Sequence, residues 1–196
     1  MRKSAFAGAL VASVALAAPA WANDSVVECI KDPNNWCMQQ HDYNAHRYSE
    51  LDQINTKNVS TLKVAWTFST GVLRGHEGSP LVVGSTMWLH TPFPNIVYAL
   101  NLDDENKIIW KYEPKQDPSV IPVMCCDTVN RGVQYADGKI FLHQADTALV
   151  ALDAKTGKEL WKWTMPDDVL MTPLTYQGGD GKQVFDSVID FARARF

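Results

Sequence analysis

The sequence predicts an all-β protein, an incomplete β-propeller made of a little over two four-stranded blades. Three observations carry this prediction. A pattern of strand, polar turn and second strand ending in Trp-Lys occurs twice, about 50 residues apart, which is within the range of propeller blades. The runs inside each copy alternate and are rich in aromatic residues, with no helical periodicity. A third copy begins near Thr172 and then departs from the pattern.

The N-terminus reads as an export signal. Met1, Arg2 and Lys3 precede an uncharged apolar run from Ala5 to Ala18, and Ala20-Trp21-Ala22 supplies small residues at an A-x-A site. Residues 1–22 are therefore expected to be a signal peptide, cleaved after Ala22, with the mature protein in the periplasm. The run is shorter than the roughly 20 apolar residues of a spanning helix, and nothing later is long enough, so no membrane span is expected. Losing Arg2 and Lys3 takes the 18 basic side chains to 16 against 22 acidic ones, a mature net charge of −6. That balance argues against a nucleic-acid partner or an anionic membrane surface and favours a basic one.

Residues 23–60 are polar and irregular and read as a lead-in segment, with a short helix at Thr56 to Thr61 and an aromatic cluster at Tyr43 and Tyr48. Residues 61–196 read as the partial propeller. The segment Tyr98-Ala99-Leu100-Asn101-Leu102-Asp103 through Trp110-Lys111 aligns with Val150-Ala151-Leu152-Asp153-Ala154-Lys155 through Trp161-Lys162, with one residue inserted in the first copy. Upstream, Gly84-Ser85-Thr86-Met87-Trp88-Leu89-His90 aligns with Asp137-Gly138-Lys139-Ile140-Phe141-Leu142-His143. His90 and His143 are 53 residues apart and Trp110 and Trp161 are 51 apart, so two independent anchors agree on nearly one period. The two Trp residues are expected either to lie flat between neighbouring blades or simply to fill the core. Small Ala99 and Ala151 suit a closely packed chain crossing. The third copy offers Thr172-Pro173-Leu174-Thr175-Tyr176 and Asp180-Gly181-Lys182, and then Val184, Phe185, Val188, Ile189 and Ala192 fall at helical spacing. This tail reads either as a short amphipathic helix or as a strand off its pattern.

Four cysteines allow three pairings. Cys29 and Cys37 flank Pro33 at a separation of eight and close a small loop most simply. Cys125 and Cys126 are adjacent, and a bridge between neighbours requires a strained ring outside ordinary disulfide geometry. From the residues alone, pairing of these two with Cys29 and Cys37, or free thiols, stays open. Metal ligation is the weaker reading, because no Cys-x-x-Cys or His pair lies nearby.

The string Gly75-His76-Glu77-Gly78-Ser79-Pro80, following Trp66-Thr67-Phe68-Ser69-Thr70-Gly71, and the string Cys125-Cys126-Asp127-Thr128-Val129-Asn130-Arg131-Gly132 resemble PQQ-dependent methanol dehydrogenase large subunits, nearest to the lanthanide-using type. The likeness runs from about Asn23 to Trp163. It implies an eight-bladed propeller with pyrroloquinoline quinone on its axis and a calcium or lanthanide ion beside it. It also implies a Cys125–Cys126 disulfide lying against one face of the quinone. Glu77 matches a glutamate that hydrogen-bonds the cofactor, and Arg131 an arginine facing a cofactor carboxylate, a role that suits a guanidinium fork. His76 is expected to be a loop residue. The implied reaction is oxidation of a small primary alcohol to an aldehyde, with electrons passed singly to a soluble cytochrome c; the resemblance leaves room for a homodimer of the full-length form.

The catalytic aspartate and the metal ligands of the family lie in later blades, so no catalytic or metal residue is assigned in this chain. Asp167, Asp168, Asp180 and Asp190 fall outside the matching strings. The expectation is a fragment of such an enzyme, inactive alone. The competing reading is a non-catalytic propeller serving as a binding or assembly scaffold in the envelope, which gives the Cys125-Cys126 pair no purpose.

Overall fold

A computed structural model of the protein describes residues 21–124, 126–164, 174–177 and 183–186. Two four-stranded antiparallel sheets form its body. The first takes β2 (Leu81–Val83), β3 (Thr86–His90), β4 (Val97–Asn101) and β5 (Lys107–Tyr112) in sequential order. The second takes β6 (Gln134–Ala136), β7 (Lys139–His143), β8 (Ala148–Asp153) and β9 (Glu159–Thr164) in the same order. Each is a meander closed by short turns, as the repeat predicts.

The repeat is exact enough to reproduce an irregularity. Ala99 pairs with Trp110 and Ala151 with Trp161, and in both sheets the register shifts immediately afterwards, between Ala99 and Leu100 and between Ala151 and Leu152. The residue inserted in the first copy is absorbed in its turn, where Glu105 and Asn106 take left-handed φ values of 50° and 57°. In the second copy the turn is tighter: the Asp153 carboxylate accepts from the N–H groups of Lys155 and Thr156 and from the Thr156 hydroxyl. Those bonds hold its carboxyl below the usual carboxylate range, the side-chain bond from Thr156 foremost.

Period-two alternation fixes which face meets what. Val97 and Ala99 of β4 turn toward the second sheet, where Ala148, Val150 and Leu152 of β8 meet them in one core with Leu81, Trp88, Trp110, Ile140 and Leu142. The alternate residues Tyr98 and Leu100 turn the other way and are covered by Phe68 and Val72. On the far side of the second sheet, Phe141 and Ala151 are covered by Val26 and Met38. Both sheets are thus buried on two faces, which is why β4 and β8 are nearly continuous apolar runs.

The lead-in segment is more ordered than its composition suggests. Asp24–Cys29 forms a helix, α1, capped by the Asn23 side chain, which accepts from the N–H groups of Ser25 and Val26. Trp36 exchanges backbone bonds with Val82 at the free edge of β2. The helix expected at Thr56 to Thr61 is reduced to one 3-10 turn at Val59–Thr61: two β-branched residues and a Ser give it little helix propensity, and none of its residues is buried.

A third sheet joins β1 (Trp21–Ala22), β10 (Leu174–Gln177) and β11 (Gln183–Asp186), with β10 in the centre. The third copy therefore contributes an antiparallel strand pair, β10 with β11, and Val184 and Phe185 lie on a strand rather than a helix. β1 lies on the leader side of the expected cleavage point. Residues 1–20 and 187–196, and the acids Asp167, Asp168, Asp180 and Asp190, lie outside the described residues. Among the described residues no helix is long and apolar enough to cross a membrane.

Candidate cofactor-facing site

Two loops that enter the sheets side by side carry the residues singled out in the sequence. Loop 70–80 leads into β2 and loop 126–133 leads into β6. Glu77 and Arg131 meet across them, with Arg131 Nη1 2.8 Å from Glu77 Oε2. The pair sits on the rim: Arg131 is 53% and Glu77 41% exposed, so the rest of the guanidinium fork and of the carboxylate faces outward. A second pair, Arg74 to Asp127 at 2.8 Å, ties the same loops one turn away, and Asp127 also accepts from the Gly75 N–H. Arg74 and Asp127 are new members of the site, since neither had a role in the sequence reading. Half-exposed pairs of this kind contribute little stability and serve mainly to fix geometry.

Behind the rim, the loops are held by buried amides and one histidine. Gln39 is buried; its Oε1 accepts from Ser79 N–H at 2.7 Å, and its Nε2 donates to Ser79 O at 3.0 Å and to Val133 O at 3.2 Å. Gly132 makes the slot for this side chain. A Cβ there would stand 2.2 Å from Gln39 Nε2, and the φ of +132° is in any case a conformation open essentially to glycine. His90, at the end of β3, points its Nε2 at the Asn130 carbonyl at 3.1 Å, so Nε2 carries the proton. Burial drives the His90 pKa down to about 4. Its ring occupies the space beside Gly78, where a Cβ would lie 2.0 Å from Cε1. Asn130 completes the set by donating to His143 O and accepting from Gly132 N–H.

His76 has the structural role expected of it. Its Nδ1 faces the Arg74 carbonyl at 2.8 Å and so carries the proton, leaving Nε2 to accept from the Thr70 hydroxyl at 3.1 Å. Thr70 is itself fixed by Tyr98, whose hydroxyl donates to its carbonyl at 3.0 Å.

Cys29 and Cys37 are joined to each other, as expected. Cys126 is disulfide-bonded and no described cysteine is free. Cys126 and Asp127 both have left-handed backbone, φ 62° and 66°, beside the Glu77–Arg131 rim. Cys125 lies outside the described residues. Among the described residues, no group of three or more His, Cys, Asp or Glu side chains is placed to hold a metal ion.

Residues 36–141 and 136–185 match the family model of the glucose/ethanol/alcohol dehydrogenase β-propeller domain, designated PQQ. The chain belongs to this PQQ dehydrogenase propeller family. Within the family it is 69% identical, over 153 residues, to the lanthanide-dependent methanol dehydrogenase of Methylorubrum extorquens strain AM1, covering 78% of this chain and 26% of that protein. It is 54% identical over 159 residues to the lanthanide-dependent methanol dehydrogenase of Methylacidiphilum fumariolicum strain SolV, covering 81% of this chain and 26% of the relative. Among solved structures, a europium-containing methanol dehydrogenase superposes with a TM-score of 0.76 at 46% identity, over 85% of this chain and 32% of that one. A quinohemoprotein alcohol dehydrogenase, ADHIIG, from Pseudomonas putida HK5 gives 0.71 at 34% identity, over 82% and 26%. The chain spans about a quarter of the length of these curated relatives, and its two full sheets are part of a PQQ-family propeller.

Proposed function

We propose that residues 23–164 build one wall of the quinone site of an exported, PQQ-dependent alcohol dehydrogenase of the methanol-oxidising type, which delivers electrons to a soluble cytochrome c in the periplasm. The observation that carries this reading is the Glu77–Arg131 pair at 2.8 Å, held on an exposed rim by loops whose sequence is that of the PQQ family.

The donor set suits the group. PQQ is a flat, tricarboxylated quinone, and when bound it supplies the acceptor for the electrons and hydrogen of the alcohol. Arg131 keeps most of its fork free for a carboxylate, and Glu77 neutralises and aims that fork. The pair is pre-organised, because Gln39, His90 and the Arg74–Asp127 bridge fix both loops before any ligand arrives. Cys125 and Cys126 bond to one another in this reading and present a rigid, polarizable face to the ring plane. Support comes from the pairing of Cys29 with Cys37 and from the bonded state of Cys126. The small alcohol, the calcium or lanthanide ion and the base that takes the hydroxyl proton are held by later blades of the whole protein, so the 196-residue chain does not turn over by itself.

The test is a chimaera in which residues 23–164 replace the matching stretch of the Methylorubrum extorquens relative, reconstituted with PQQ and calcium or lanthanum. Methanol-dependent dye reduction is expected from the chimaera and none from the 196-residue chain. A folded chimaera that neither binds PQQ nor reduces dye would leave the scaffold reading in its place.

A further inference from the structure

We propose that Gln39 is the positioning residue of this wall, setting the distance between Glu77 and Arg131 through a buried amide clamp anchored by the Cys29–Cys37 disulfide. The inference rests on the cofactor reading above and adds a residue from the lead-in segment.

The geometry is specific. Ser79 is two residues after Glu77, and Val133 is two residues after Arg131; Gln39 binds the backbone of both. Its carboxamide uses the acceptor and both donors on three backbone groups, so it cannot rotate without leaving one of them buried and unpaired. Gly132 lends the space, and no side chain at that position could coexist with the clamp. Gln39 follows Cys37 by two residues, and Cys37 is fully buried and bonded to Cys29 at the end of α1. Between them Met38 packs under Phe141 and Ala151 of the second sheet. The clamp is therefore braced from below by a disulfide and a core side chain. His90 reinforces it from the other side by binding Asn130 O next to Arg131 while filling the space at Gly78 next to Glu77.

Gln39→Met keeps the bulk and removes the polar contacts. In the 196-residue chain, hydrogen exchange of amides 127–132 should accelerate about tenfold, with β7 and β8 unchanged. Unchanged exchange in that loop would overturn the inference whatever PQQ does. In the chimaera, the PQQ dissociation constant, read by tryptophan quenching, should rise about tenfold on Gln39→Met. In a Glu77→Ala, Arg131→Ala background the same substitution should shift it less than about twofold, because the groups it positions are gone. Equal shifts in both backgrounds would mean that Gln39 only supports the fold, and would contradict a positioning role. Loss of PQQ binding by the parent chimaera counts against the cofactor reading instead, while the exchange result still decides the clamp.

Discussion

The indole N–H of Trp110 donates to the carbonyl of Ala154 at 3.0 Å, and the ring lies against Gly157, where a Cβ would stand only 2.6 Å away. One tryptophan on the outer strand of the first sheet thus grips the β8–β9 turn of the second. Trp88 donates to the same carbonyl at 3.3 Å from an inner strand. Trp161 is the repeat equivalent of Trp110, with the same Ala partner and the same register shift, and it is 36% exposed while Trp110 is 8% exposed. It touches Phe141 of its own sheet.

This difference has a stability consequence. Trp110→Phe should destabilise the chain by about 1–3 kcal/mol, through lost buried area and the loss of the shorter of the two indole hydrogen bonds to the Ala154 carbonyl. Trp161→Phe should change it by less than about 1 kcal/mol. Urea unfolding midpoints of the two variants check the contrast; equal losses would remove the inter-sheet role of Trp110.

Two glycines with similar backbones separate strain from packing. Gly84 and Gly157 have φ of 57° and 70°, but a Cβ at Gly84 meets nothing within 4 Å. Gly84→Ala should cost about 1 kcal/mol, the ordinary penalty of a left-handed residue. Gly157→Ala should cost about 2–4 kcal/mol, because Trp110 must also move. The same denaturation series measures both.

His90 makes acid stability predictable. Its pKa falls from 6.5 to about 4, with burial as the main cause and the Asn130 carbonyl working against it. The folded state therefore prefers the neutral ring; its contribution is intact above pH 6.5 and is lost as pH falls toward 4. A His90→Gln variant should show a flatter stability profile across that window. An unchanged slope would mean that His90 is not held neutral.

Tyr112 acts at the other extreme. Burial, then its hydrogen bond to Glu159, pushes its pKa from 10.0 up to about 12. The hydroxyl donates to Glu159 at 2.9 Å and accepts from Gln144 at 3.0 Å, joining β5 to the second sheet. Folded protein holds this proton more tightly than unfolded chain, so the contribution is full below pH 10 and is lost as pH rises toward 12. Tyr112→Phe should remove that part of the alkaline loss, as seen in thermal midpoints across the window.

The sheets were legible because their information is local and repeated. Alternation placed Tyr98 and Leu100 opposite Val97 and Ala99, and the matched Trp110 and Trp161 fixed one period twice. The motifs singled out Glu77 and Arg131, but that the two pair directly was not readable, since 54 residues separate them. Gln39 left no signal: it acts on backbone groups 40 and 94 residues away, and a glutamine between Met38 and Gln40 looks like any surface residue. α1 escaped because six residues carry too little periodicity, though Asn23 before Asp24-Ser25-Val26 was a readable cap. At Thr56 to Thr61 the reverse occurred, as cap-like residues preceded a segment with no apolar face to bury.

The assignment of this wall to a planar quinone depends most on the two adjacent thiols. Tryptic cleavage after Lys115 and Arg131 isolates both cysteines in one peptide, which can be weighed after alkylation without reduction. An unalkylated peptide lighter by two hydrogens than its reduced form is the predicted result. Two alkylated cysteines, or a cross-link from this peptide to Cys29 or Cys37, would contradict it.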